Sequence, residues 1–210
     1  YTSDLGEHHA VRQAAGLFDI SHMAEFLVTG AGAGAFLDDA LAGRISTMKT
    51  GKAKYSLLLT DAGGVLDDVI VYRLADERFL VISNAGNREA VAAAFAERVR
   101  DHSADAADAA VEDVSDAYAL IAVQGPRALE IVETTAGIAD VAPALADLGY
   151  YAWSGGTFQG EPLFIARTGY TGEDGFELMI PNALAPALWD ALLVAGTPLG
   201  LVPAGLAARD

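Results

Sequence analysis

Tyr55-Ser-Leu-Leu-Leu-Thr60, Asp61-Ala-Gly63-Gly64 and Val65-Leu-Asp67-Asp68-Val-Ile-Val-Tyr72 form one continuous run. The outer pieces are rich in strand-forming residues. The middle piece is turn chemistry, with glycines able to adopt positive φ. The run predicts a β-hairpin, and Phe79-Leu-Val-Ile82 predicts a third strand beside it. Asn87 is placed to cap a following helix, in which Val91, Phe95 and Val99 recur every four residues on one face.

On the N-terminal side, Phe26-Leu-Val28 predicts a strand closed by Gly30, and residues 33–42 predict a helix with Ala35, Phe36, Leu37 and Leu41 turned to the core. Residues 7–17 carry Val11, Ala14, Ala15 and Leu17 at helix-like spacing, with Gly16 near the end, and predict a short helix. On the C-terminal side, the stretch from Asp101 to Asp116 is rich in Asp and Ala. It predicts an exposed connector with one short strand near Val111. Tyr118-Ala-Leu-Ile-Ala-Val123 predicts a buried strand, and Gly125-Pro126 the opening of a helix. Strands at 157–167 and 176–180 and a helix at 183–195 around Trp189 follow. All seven prolines lie at or beyond position 126, a shift that places a domain change near 115–125. The expected organisation is therefore residues 1–116 and 117–210. Strands and helices mix without a regular βαβ rhythm, which predicts an α+β fold of mixed sheets with flanking helices.

Composition narrows the function classes. With 52% hydrophobic residues among 210, the chain has material for a substantial core, and 20% charged residues argue against wholesale disorder. Its apolar runs are shorter than the roughly 20 residues a bilayer-spanning helix needs, so no membrane partner is expected. A formal net charge of −16 opposes a general grip on nucleic acid. There is no cysteine, which removes disulfides, thiolate metal sites and a Cys nucleophile. Lys49, Lys52 and Lys54, the chain's only lysines, follow Arg44 closely and form a positive island. The island reads either as a solvated loop or as a landing place for an anionic ligand tail or an acidic partner.

Two motifs could carry chemistry. In Gly63-Gly-Val-Leu-Asp67-Asp68, two adjacent carboxylates sit in an apolar strand, and strand alternation sends them to opposite faces. One of them becomes costly to desolvate unless partnered, which marks it for cation stabilisation or proton chemistry; a strand-end turn contact is the plainer reading. In Arg167-Thr-Gly-Tyr-Thr-Gly-Glu-Asp-Gly-Phe-Glu177, glycines permit close backbone approach to a flat ligand, whose donor edge a carboxylate can bind and a Tyr ring can flank. The plainer reading there is a turn joining two strands. His8, His9, His22 and His102 lack metal-ligand spacing, and no metal is expected. His8 and His9 fit a helix surface, and His22 suits capping better than catalysis.

Taken together, Gly16-Leu-Phe-Asp-Ile-Ser-His-Met23, Gly63-Gly-Val-Leu-Asp-Asp68, Val81-Ile-Ser-Asn-Ala-Gly-Asn87, Gln124-Gly-Pro126, Arg167–Glu177 and Pro203-Ala-Gly-Leu-Ala-Ala-Arg-Asp210 resemble the aminomethyltransferase (glycine-cleavage T-protein) family, in family order. The resemblance implies transfer of a methylene group from the aminomethyl-lipoyl arm of H-protein to tetrahydrofolate, giving 5,10-methylenetetrahydrofolate and ammonia. It places Asp68 at the reactive pterin nitrogens as the catalytic group, Glu177 at the pterin edge and Tyr170 alongside. Met23, Tyr55, Tyr72, Asn84 and Asn87 map to the folate pocket, and Arg209 to an arginine near the folate. The implied partners are folate and lipoylated H-protein. The implied compartment is the cytoplasm in a bacterium or the mitochondrial matrix in a eukaryote. The family chain continues past the Ala-Ala-Arg-Asp motif into a C-terminal barrel-like domain that this sequence does not contain, and it usually has glycine where Ala207 stands. Related readings are a folate-dependent demethylase, the folate module of a dimethylglycine or sarcosine dehydrogenase, and a non-catalytic folate-binding protein of iron–sulfur cluster assembly. The last carries a cysteine motif in the glycine-rich loop, where this chain has Thr168-Gly-Tyr-Thr-Gly-Glu173.

Overall fold

A computed structural model describes residues 1–101 and 108–209. In chain order the elements are α1 (Asp4–Gln13), β1 (Ala15–Asp19), β2 (Ala24–Thr29), α2 (Ala33–Ala40), β3 (Ala53–Leu59), β4 (Val65–Ala75), β5 (Arg78–Ser83) and α3 (Arg88–Asp101). There follow β6 (Ala110–Asp113), β7 (Tyr118–Gln124), α4 (Ala128–Thr134), β8 (Ile138–Ala142), β9 (Trp153–Phe158), β10 (Glu161–Ala166), β11 (Gly175–Pro181), α5 (Ala185–Gly196) and β12 (Leu201–Pro203). The α+β class is as the sequence predicts.

The chain forms two compact units, His22–Asp116 and Tyr1–Ser21 joined with Ala117–Asp210. The first 21 residues thus group with the C-terminal half, not with residues 22–116 as the sequence division had it. The cause is pairing at long range: β1 runs antiparallel to β7 and parallel to β12.

In the His22–Asp116 unit, five antiparallel strands lie in the order β3-β4-β5-β2-β6. The predicted hairpin is β3–β4. Its loop closes through Gly63 N–H donating to Thr60 O and Thr60 N–H donating to Gly64 O. Gly63 has φ +79° with open space around it, so backbone conformation alone makes glycine the fitting residue. Alternation puts Phe26, Val28, Leu58, Val69, Val71, Phe79 and Val81 on one face, where Phe36 and Leu37 of α2 and Val91 and Phe95 of α3 cover them. Phe95 is the hub, edge-on to Phe26 at 5.5 Å and to Phe36 at 6.0 Å between ring centroids. Phe95→Ala is expected to cost about 3–5 kcal/mol, read as a lowered denaturant midpoint. The Arg98 guanidinium donates to Ala40 O and Leu59 O and so ties α3 to α2 and β3.

The other unit holds a seven-stranded mixed sheet, β12-β1-β7-β11-β10-β9-β8. One face carries Ile121, Val123, Phe176, Leu178 and Ile180 under α4 and α5. On the opposite face Val11 of α1 packs with Phe18, Ala122, Ala204 and Ala208.

Several elements differ from expectation. Residues 15–17 are strand, not helix. The span 157–167 takes in the end of β9, the two-residue turn Gln159-Gly160, with φ +53° and +88°, and β10. The helix after Gly125-Pro126 starts only at Ala128. Strands β8 and β12 were not anticipated. His102 and part of the predicted connector lie outside the described residues; the strand near Val111 is β6.

Candidate functional site

The register of the five-stranded sheet decides which of Asp67 and Asp68 is exposed. Val69 and Val71 face the core, so Asp67 shares their side and Asp68 points the other way. Asp67 is buried at 3% exposure, whereas Asp68 is exposed. The desolvated member of the pair is therefore Asp67, and Asp68, the group that the resemblance makes catalytic, is the solvated one.

Asp67 is fully partnered. Its Oδ2 accepts from Asn84 N–H at 3.0 Å, and its Oδ1 accepts from Asn84 Nδ2 at 2.9 Å and Asn87 Nδ2 at 2.7 Å. These bonds offset the cost of burying the carboxylate. Because a carboxylate only accepts, they also fix which way both amides are turned. Asn84 Nδ2 then donates to Asp68 Oδ1 at 2.8 Å and to Asp68 O at 3.2 Å. Asn87, directly before α3, thus gives its side-chain N–H to Asp67. The result is a relay in which a buried carboxylate locks an amide, and that amide holds an exposed carboxylate in place.

Asp68 shares its sheet face with other predicted residues. Tyr55 and Tyr72 have the same parity, Tyr55 opposite Ile70. Tyr55 is 52% exposed and Tyr72 fully buried. Met23 directly precedes β2 with the parity of Glu25, which pairs with Ile82, itself opposite Ile70.

Glu25 was not anticipated. It is 1% exposed, and neither carboxyl oxygen has a hydrogen-bond partner. Burial pushes its carboxyl up to about 8, with Arg88 opposing and Asp113 reinforcing. Arg88 is occupied, bonding Asp113 at 2.8 Å and Asp116 at 2.8 Å. Burial alone would raise the Asp113 carboxyl, but hydrogen bonds from Arg88 and Ser115 hold it below the usual range. In the sequence Glu25 is marked only as the one charged residue of β2, beside Ala24, Phe26, Leu27 and Val28.

The second cluster lies in the other unit, on the α1 face of its sheet. Glu177 of β11 accepts from Thr168 Oγ1. Arg167 forms a two-pronged pair with Asp174, 2.9 Å through Nε and 2.7 Å through Nη2, which closes the glycine-rich loop at its base. Asp174 holds the guanidinium pKa above its usual value. Arg12 of α1 bonds Glu173 at 2.8 Å from outside. Tyr170 stands 81% exposed at the tip, with the Arg209 guanidinium 4.9 Å from its ring centroid. Two predicted residues far apart in sequence thus meet. The Arg209 segment is anchored to α1, since Gly205 N–H donates to Glu7 at 2.9 Å and His8 Nδ1 lies 3.0 Å from Ala208 O.

Other candidates have plainer roles. Asp19 Oδ1, not His22, closes the turn at Ser21. In the basic island, Lys49 and Lys52 are exposed, and Lys54 donates to Arg44 O at 2.9 Å. No group of His, Asp or Glu among the described residues has metal-binding geometry, and no described helix is long and apolar enough to cross a membrane.

Fold and clusters define a two-sheet α+β chain that carries a hydrogen-bonded carboxylate on a face of each sheet. Residues 2–210 match the family described as the GCVT N-terminal domain, and the chain belongs to that family. It is 51% identical to an aminomethyltransferase of Streptomyces avermitilis, covering all of this chain and 54% of that protein. It is 48% identical to an aminomethyltransferase of Corynebacterium jeikeium, covering all of this chain and 56% of that protein. The glycine cleavage system aminomethyltransferase T of Bartonella henselae superposes with a TM-score of 0.84 at 38% identity, over 99% of this chain and 52% of that one. A heterotetrameric sarcosine oxidase of Corynebacterium shares the fold, with a TM-score of 0.64 at 13% identity. The chain spans about half the length of the curated relatives it matches.

Proposed function

We propose that this chain is the folate-binding part of an aminomethyltransferase of the glycine cleavage system. It takes the methylene of the aminomethyl-lipoyl group on H-protein to tetrahydrofolate, giving 5,10-methylenetetrahydrofolate and ammonia. The observation that carries the reading is the Asp67–Asn84–Asp68 relay, which holds one exposed carboxylate by hydrogen bonds that exist before any substrate arrives.

The transfer passes through positive, methylene-iminium character. A carboxylate fixed in advance stabilises that charge without reorganising, and it orients the attacking nitrogen. Asp68 is assigned this role, acting by electrostatics and positioning, not by forming a covalent bond. Glu177 is assigned to the donor edge of the pterin and Tyr170 to its ring. Met23, Tyr55, Tyr72, Asn84, Asn87 and Arg209 are assigned to folate binding, and no metal is required. The exposed lysines of the island suit the glutamate tail of folate or an acidic surface of H-protein. Family relatives from bacteria support a cytoplasmic setting.

Calorimetric titration of tetrahydrofolate into the chain tests the reading. The parent is expected to bind, and Glu177→Gln to bind more weakly by about 1.5–3 kcal/mol, the range for a hydrogen bond to a charged group. A folded parent that shows no heat of binding would remove the folate assignment.

A further inference from the structure

We infer that Gln124 is a positioning residue for the ligand-binding loop 168–175, acting through Thr168 on Glu177. The inference rests on the folate reading of that loop. Gln124 ends β7 opposite Gly175 of β11, and Glu177 lies two residues along on the same face, opposite Ala122. The Gln124 side chain is 2% exposed and satisfied in both directions. Its Nε2 donates to Thr168 O at 3.0 Å, and its Oε1 accepts from Thr171 Oγ1 at 3.0 Å. A single amide therefore bridges both arms of the loop.

The loop glycines show how closely the backbone wraps this side chain. A Cβ on Gly169 would fall 2.0 Å from Gln124 Oε1, and one on Gly175 would fall 2.4 Å from Gln124 Cδ. Gly169 also has φ +156°, near the edge of the left-handed region. Two of the loop's glycines are thus explained by contact with Gln124, not by contact with a ligand. Thr168, fixed by Gln124 at its carbonyl, donates its hydroxyl to Glu177 and sets the angle of that carboxylate. The chain of contacts runs from Gln124 to Thr168 to Glu177, with Tyr170 carried on the loop between them. Ordering this loop in the free protein lowers the entropy cost of binding a rigid, flat ligand.

The site needs one donor and one acceptor on the same planar group, which a neutral amide supplies at every pH. Gln124→Met keeps the volume and loses both bonds. Gln124→Glu keeps the shape and the Thr171 bond, but sets a second acceptor against Thr168 O. When protonated, the introduced carboxyl can donate there again.

The test is titration of tetrahydrofolate into the parent, Q124M and Q124E, with hydrogen exchange of the loop amides measured in the ligand-free proteins. Q124M is expected to weaken binding about tenfold and to lower protection at residues 169–172. For Q124E, affinity relative to the parent is expected to recover as pH falls, a signature that general destabilisation would not give. Parent-like affinity and protection in Q124M, or a pH-independent ratio for Q124E, would overturn the inference while leaving the folate reading intact. Absence of binding by the folded parent would overturn both.

Discussion

Asp68→Asn is expected to lower methylene transfer from aminomethyl-lipoyl H-protein to tetrahydrofolate by about 100- to 1,000-fold, while folate affinity changes little. The separation of the two effects follows from the relay. Asn84 Nδ2 donates to Asp68 Oδ1, and the amide oxygen of an introduced asparagine can still accept that bond, though more weakly than a carboxylate. Asp67, Asn84 and Asn87 keep all their partners, so the strand and its register stay in place. The one property removed is the fixed negative charge, which acts when the methylene becomes cationic and hardly before. A fall in apparent affinity that accounts for the whole loss of rate, with turnover unchanged, would contradict the assignment of Asp68.

Glu25→Gln is expected to flatten the dependence of folding stability on pH. The folded-state carboxyl titrates near 8 because it is buried without a hydrogen-bond partner, against 4.5 for the ordinary group. Between those values the unfolded chain has released a proton that the folded chain keeps. Stability therefore falls as pH rises from about 4.5 to about 8 and levels off above, since the folded state binds more protons in that window. Arg88 from α3 lessens the effect, and Asp113 from β6 adds to it. At low pH the order reverses for Asp113 and Asp116, whose carboxyls are held down, so their contribution fades below about pH 4. Melting temperatures of the parent measured between pH 5 and pH 9 are expected to drop by several degrees, and those of Glu25→Gln to stay nearly level across the same range. Equal slopes for the two proteins would show that Glu25 is ionised in the folded state.

How much of this was visible in the sequence depended on the range of the forces involved. The β3–β4 hairpin and the α3 stripe of Val91 and Phe95 were legible because alternation, turn residues and fourfold spacing are local signals. The helix-like spacing of residues 7–17 runs on into the first three residues of β1, where Gly16 has the look of a helix terminus. A Cβ there would lie 2.5 Å from Val11 Cγ2, so the glycine marks the close approach of α1 to the strand that follows it. The three-residue β12 has no pattern of its own and exists through its pairing with β1. The turn at Gln159-Gly160 was passed over because glutamine, unlike asparagine, is not a usual residue for positive φ. At the candidate site, alternation showed that Asp67 and Asp68 must part, but which one is buried depends on which face α2 and α3 cover. Gln124 gave a signal in the Gln-Gly-Pro motif, but its partners Thr168 and Thr171 lie on a distant segment.

The grouping of Tyr1–Ser21 with Ala117–Asp210 has a consequence for biogenesis. As the chain leaves the ribosome, the segment His22–Asp116 emerges with every strand of its sheet already made, and it can fold during synthesis. Strand β1 comes out ahead of that segment yet must wait for β7 and then β12 before its edges are paired. Until then the edges of an apolar strand stay unpaired, so residues made before the His22–Asp116 segment are protected after it.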